Sequence, residues 1–307
     1  MHFPKKHYIF FASVLAVVAV CSGILFVLFH GSQAKQKAFG YLSPKAIAAE
    51  KKASHVPFAT PSPIASPTAT PIPTPVYTGY CLNVPVLMYH HTAPWEIAKA
   101  KGYTSLDVDN GVFDSQMGYL VSHGYHTIFA EDLVNALKNH TSLPPKSIVV
   151  SLDDAYDDVY AYAFPTAKKY GIKLTVFIPT GLVGNSSPTN SYYNWGQLQE
   201  MLKSGLVSEG NHTWSHFSMG TKDLAKDQFE VSTAEKELQQ YTGRTVTTFA
   251  YPYGTNANPA RVFSVLQQNG ILGAFSTHGG TMQCDSFIYE LHRTRIGNVP
   301  FPAFGVY

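Results

Sequence analysis

Ser147-Ile148-Val149-Val150-Ser151-Leu152 is a run of apolar and small residues that ends abruptly on two carboxylates, Asp153 and Asp154. Its length suits a strand, and a continuous apolar character suits one buried on both faces, as in a parallel sheet. Working outward, Pro85-Val-Leu-Met-Tyr89 reads as a similar strand ending at His90 and His91, and Leu174-Thr-Val-Phe-Ile178 as another. Further strands are expected at Leu206–Ser208, Val246–Ala250 and Gly273–Ser276. Between them lie segments of helical spacing: Val112–His123, Glu131–Asn139, Asp158–Tyr170, Gln197–Lys203, Lys222–Tyr241 and Pro259–Asn269. Strands alternating with helices imply parallel pairing through crossover helices, an α/β fold.

In such folds reactive side chains collect at the carboxyl ends of strands. Four clusters fall there. Asp153 and Asp154 follow one strand, His212 and His216 follow Leu206–Gly210, and Tyr251-Pro252-Tyr253-Gly254 follows Val246–Ala250. Leu291-His292-Arg293 follows Phe287 and Ile288. Two imidazoles and a carboxylate form a common open metal site. Neighbouring aspartates in extended chain point to opposite sides, so one can hold metal while the other takes a proton. Taken singly these pairs are weak: Asp-Asp often caps a helix, and His-x-x-x-His occurs by chance on helix surfaces.

The ends of the folded region are marked by composition. Tyr8–Phe29 contains no Asp, Glu, Lys or Arg over 22 residues, enough at ~1.5 Å per residue to cross a bilayer core of ~30 Å. Lys5 and Lys6 precede it, so residues 1–34 read as a membrane anchor or as a cleaved signal segment with Ser32-Gln33-Ala34 at the cut. Both place the rest of the chain outside the cytoplasm. From Pro57 to Pro75, 13 of 19 residues are Pro, Ser or Thr, so residues 35–79 read as a semi-rigid spacer. The folded domain is expected over 80–307. Within its 307 residues the chain is 45% apolar and 13% aromatic, ample for a core. A formal net charge of +2, without a basic cluster, argues against a nucleic-acid partner. No Cys-x-x-Cys pair occurs among Cys21, Cys81 and Cys284, which excludes a zinc ribbon. Outside the cytoplasm Cys81 and Cys284 could pair; two separate thiols is the alternative. Asn139, Asn185 and Asn211 begin Asn-x-Ser/Thr sequons, read as chance matches.

In their order, these motifs resemble those of the polysaccharide deacetylase family (carbohydrate esterase family 4, the NodB homology domain). Ser151-Leu-Asp-Asp-Ala-Tyr156 resembles its Thr-Phe-Asp-Asp-Gly-Tyr motif, Asn211-His-Thr-Trp-Ser-His216 its His-Ser/Thr-x-x-His motif, and Phe249-Ala-Tyr-Pro-Tyr-Gly254 its Arg-x-Pro-Tyr region. The resemblance spans roughly Pro85 to Ile296. It implies a distorted (β/α) barrel and a hydrolase that removes acetyl groups from a polysaccharide. It also implies roles: Asp154, His212 and His216 hold a divalent metal, zinc first and Co, Ni or Mn next, and Asp153 is the general base. The Tyr253 backbone N–H helps hold an oxyanion. Tyr253, Pro252 and Trp195 contact substrate, and His292 is the candidate general acid, although the family's Leu-x-His would place its His one position later. Three positions depart from the pattern: Ala155 for Gly, Leu152 for Phe and Ala250 for an Arg that orients the base. Loss of that Arg and the Pro85–His90 opening resemble the poly-N-acetylglucosamine deacetylase branch. The expected activity is N-deacetylation of poly-N-acetylglucosamine or peptidoglycan at the cell wall or biofilm matrix by a monomer. An O-acetyl xylan-type esterase and an inactive carbohydrate-binding member are the alternatives.

Overall fold

The computed structural model describes residues 77–221, 223–254 and 259–306. The anchor or signal segment, 1–34, and nearly all of the spacer, 35–79, lie outside the described residues. The chain divides into two units, and the second, Ile72–Tyr307, contains the described residues. Among these, no helix is long and apolar enough to cross a membrane.

The strands are β1 (Cys81–Asn83), β2 (Val86–Tyr89), β3 (His126–Ile128), β4 (Ser147–Asp153), β5 (Leu174–Ile178), β6 (Val207–Asn211), β7 (Thr248–Ala250), β8 (Gly273–Phe275), β9 (Met282–Cys284) and β10 (Thr294–Arg295). The helices are α1 (Trp95–Lys101), α2 (Asn110–Ser122), α3 (Ala130–Asn139), α4 (Phe164–Tyr170), α5 (Trp195–Lys203), α6 (Leu224–Thr242) and α7 (Pro259–Gln268). Eight strands form one parallel sheet in the order β10-β2-β4-β5-β6-β7-β8, with β3 beside the first residues of β4. β8 also meets Leu291 through a parallel bridge, so the sheet curls towards closure as a distorted half-barrel.

The apolar runs explain the layering. Every residue of β4, β5 and β6 is buried, because one face packs inside the barrel and the other under the helices. The inner face is not wholly apolar. Ser151 Oγ donates to the Leu87 carbonyl, and Thr175 Oγ1 accepts the first N–H of α3, so these hydroxyls are buried with partners. Helix starts are set by side chains. Asn194 and Gln197 cap α5 reciprocally, and Asp223 Oδ1 accepts the Lys226 N–H at the start of α6.

Two expectations change, and one open choice closes. The Asp158–Tyr170 helix opens with a π-turn, Val159–Ala163, before α4. Phe287 and Ile288 form no strand; Asp285–Phe287 is a 3-10 turn, and the strand of that region is β10, after Arg293. β1 and β9 form a separate antiparallel pair that sets Cys81 opposite Cys284, and the two are bonded as a disulfide.

Candidate active site

β4, β6 and β7 deliver their loops to one end. β4 ends on Asp153, and the chain turns at once: the Asp154 N–H donates to the Phe177 carbonyl. Asp154 (φ 76°) and Ala155 (φ 63°) both take left-handed backbone, so Ala155 carries the strain that its replacement of Gly foretells. β6 leads to His212, Thr213 (φ 66°) and His216 (φ 60°), and β7 to Tyr253 (φ 62°). Five of the seven non-glycine residues with positive φ among those described therefore surround one spot, and each costs about 1–2 kcal/mol that the packing around it must offset.

Asp154 Oδ1 lies 3.3 Å from His212 Nε2 and 3.0 Å from His216 Nε2. The His212 ring is turned by its other nitrogen: Nδ1 donates to the Ala250 carbonyl at 2.7 Å, which leaves Nε2 as a lone pair facing Asp154. Asp154 Oδ1 is buried and has no hydrogen-bond partner, so three ligand atoms converge within 4.8 Å with nothing between them to balance their lone pairs. Two imidazoles and one carboxylate fit a borderline divalent ion such as zinc. Burial pushes the Asp154 carboxyl up, and His212 and His216 beside it more than offset this, holding it well below the ordinary value.

Asp153 faces a different neighbour. Arg293, fully buried, donates from Nη1 to Asp153 Oδ1 at 2.7 Å. Burial pushes this carboxyl up, but the charge of Arg293 and its hydrogen bond hold it below the usual range, so Asp153 is ionised. The aspartate pair thus separates: Asp154 faces the two histidines and Asp153 faces the arginine. A cleft of about 640 Å³ joins His90, Asp153, Asp154, His212, His216, Tyr253 and Arg293. Tyr253 is 68% exposed at its rim, edge-on to His216, and is available to a sugar face.

Three expected site residues stand elsewhere. His292 does not line the cleft; its ring stacks on Phe287, and its backbone is held at both ends by Gln283. His90 lines the cleft instead, and burial lowers its imidazole against the opposing pull of Asp153 and Asp154. Trp195 stacks on Tyr241 and packs against the core, and Pro252 is buried; neither lines the cleft.

Two residues escaped the sequence reading. Arg293 sits beyond the expected His292. Glu230, buried on α6, accepts the N–H groups of Trp214 and Ser215 and the Ser215 hydroxyl, and so clamps the turn between the two histidines. A signal was present: Asp227 and Glu230 fall on the buried stripe with Val231, Ala234 and Leu238, where a lone carboxylate would be costly. Asn211 is also committed, its amide donating to Val231 and Glu235, which leaves its sequon no room for a glycan.

The polysaccharide deacetylase family profile matches residues 140–274, the span from the end of α3 to β8 that carries both aspartates and both histidines. That match takes in 135 of the chain's 307 residues and marks it as similar to the polysaccharide deacetylases. The chain is 27% identical over 226 residues to the YxkH protein of Bacillus subtilis (strain 168), covering 73% of this chain and 76% of that one. It is 26% identical over 213 residues to poly-beta-1,6-N-acetyl-D-glucosamine N-deacetylase of Staphylococcus aureus (strain MRSA252), with 66% and 72% covered. Among solved structures, Streptococcus pyogenes deacetylase PplD in complex with acetate superposes with a TM-score of 0.63 at 25% identity, covering 70% of this chain and 92% of that chain. IcaB from Ammonifex degensii shares the fold, with a TM-score of 0.62 at 24% identity, covering 73% and 94%.

Proposed function

We propose that this protein is a metal-dependent N-deacetylase of an extracellular polysaccharide, with poly-N-acetylglucosamine as the preferred substrate class. The observation that carries it is the division of labour in one cleft: a buried Asp/His/His ligand set, a separate ionised carboxylate and a separate imidazole. The similarity to an enzyme named for poly-beta-1,6-N-acetyl-D-glucosamine supports the substrate class.

Asp154, His212 and His216 hold a divalent cation, which when bound polarises the acetyl carbonyl and acidifies water. Asp153 takes the proton of the attacking water through its unpaired oxygen. The backbone N–H of Tyr253 donates to the developing oxyanion, and its ring covers a sugar face. His90 hands a proton to the departing sugar amine, and acetate leaves. The Cys81–Cys284 disulfide supports work outside the cytoplasm, where such bonds persist, and the apolar Tyr8–Phe29 supports tethering or export by a signal segment.

The test is acetate release from β-1,6 and β-1,4 N-acetylglucosamine polymers, peptidoglycan and acetylated xylan, with and without a chelator. Release from the β-1,6 polymer that stops with chelator and returns with zinc is expected. Asp154→Ala and His216→Ala are expected to lose zinc binding by calorimetry. Asp153→Asn should keep zinc and lose about 10²–10⁴ in kcat. Release only from xylan would make the protein an O-acetyl esterase, and full activity in Asp153→Asn would remove Asp153 from the chemistry.

A further inference from the structure

We infer that Arg293 is the positioning residue for Asp153, reaching it from the lead-in to β10 to do what position 250 is built not to do. The inference rests on the deacetylase reading above. Ala250 ends β7 with a side chain too short to reach any carboxylate, and it packs in the core cluster that contains Phe177. The Arg293 guanidinium lies over that same Phe177 ring, 5.5 Å from its centre. Phe177 thus belongs to the core cluster that holds Ala250 and also carries the Arg293 cation on its ring.

Arg293 is held more firmly than an ion pair alone would hold it. Nε donates to the Ser276 carbonyl at 2.9 Å, Nη1 reaches Ser151 Oγ at 3.4 Å as well as Asp153 Oδ1 at 2.7 Å, and the backbone N–H donates to the His278 carbonyl. A planar guanidinium pinned at Nε cannot rotate, so its Nη1 gives the carboxylate one orientation. With Oδ1 engaged, Oδ2 is the oxygen left to the cleft. A lysine would keep the charge but lose the Nε anchor and the fixed plane. The consequence is directional: the role belongs to the geometry of the fork and not to its charge.

Wild type, Arg293→Lys, Arg293→Ala and the double variant Ala250→Arg/Arg293→Ala form the test, read by acetate release, zinc titration and zinc-soaked crystals. Arg293→Lys is expected to lose about 100-fold in kcat while KM and zinc affinity stay within about threefold, with the Asp153 carboxylate turned from its native rotamer in the crystal. The double variant is expected to recover about tenfold or more over Arg293→Ala. Arg293→Lys at the wild-type rate, or Asp153 unmoved in its crystal, overturns the inference. So does a double variant no faster than Arg293→Ala. Should Arg293→Ala fail to fold, the lysine variant decides. Should wild type release no acetate from any glycan, the deacetylase reading falls, and the Asp153 rotamer in the lysine variant still decides this one.

Discussion

His90 and His91 are the same chemistry one peptide apart, and the end of β2 sends them to different surroundings. His91 is sealed between the rings of Tyr103 and Tyr156, at 3.7 and 3.5 Å, with Nδ1 at 2.5 Å from Asp158. His90 enters the cleft. Asp153 and Asp154 separate in the same way. The alternation of extended chain made the aspartate pair legible before the structure, because the motif ties one to the histidines. It could not choose between His90 and His292, because that choice depends on how β2 and β10 lie side by side, a contact between residues some 200 apart in sequence. The expected outcome is that His90→Gln loses about 10²-fold or more in kcat, whereas His292→Gln keeps kcat within a few fold. Steady-state acetate release by the two variants is the measurement.

Among the elements, β4, β5 and the helices α2, α3, α6 and α7 were readable to within a residue or two, because long apolar or periodic runs carry their own signal. β1, β3, β9 and β10, of two or three residues each, were not: their pairing is decided by neighbours and not by local pattern. The link from α6 to the site shows what such a neighbour does. Glu235 on this helix accepts from Asn211, whose own side-chain oxygen accepts the Thr213 N–H, next to His212. Burial, reinforced by the nearby Glu209 charge, pushes the Glu235 carboxyl up to about 7, against the hydrogen bonds from Asn211 and Val246. The folded state therefore holds this proton more tightly than the unfolded chain. Its stabilisation is full below the unfolded value near pH 4.5 and is lost as pH rises through about 7. Glu235→Gln keeps an acceptor for Asn211 without the charge. Urea unfolding at pH 5 and pH 8 should show the variant matching wild type at the lower pH and exceeding it by about 2 kcal/mol at the higher.

At the scale of the molecule, the fold class and the end of the barrel that bears the chemistry followed from strands alternating with helices. The closure of the domain did not, because nothing in the spacing of Cys81 and Cys284 says that they meet. Their bond spans 203 residues, and in the chain-entropy account a loop of that size restrains the unfolded state by about 5 kcal/mol, less any native strain. Cys81→Ser/Cys284→Ser is expected to lose about 3 kcal/mol in urea unfolding and to keep its kcat, since the clip lies in the two-stranded β1–β9 sheet and not in the cleft.

The same bond also sets how the domain answers mechanical load. A pull along the chain ahead of Tyr77 reaches Cys81 and crosses the sulfur bridge to Cys284, bypassing everything between them. Asp153, Asp154, His212 and His216 lie in that bypassed loop, out of the line of tension. Arg293 and β10 lie beyond Cys284. Tension applied between the two ends would thus load Arg293 and β10 directly and bypass the strands that carry those four residues.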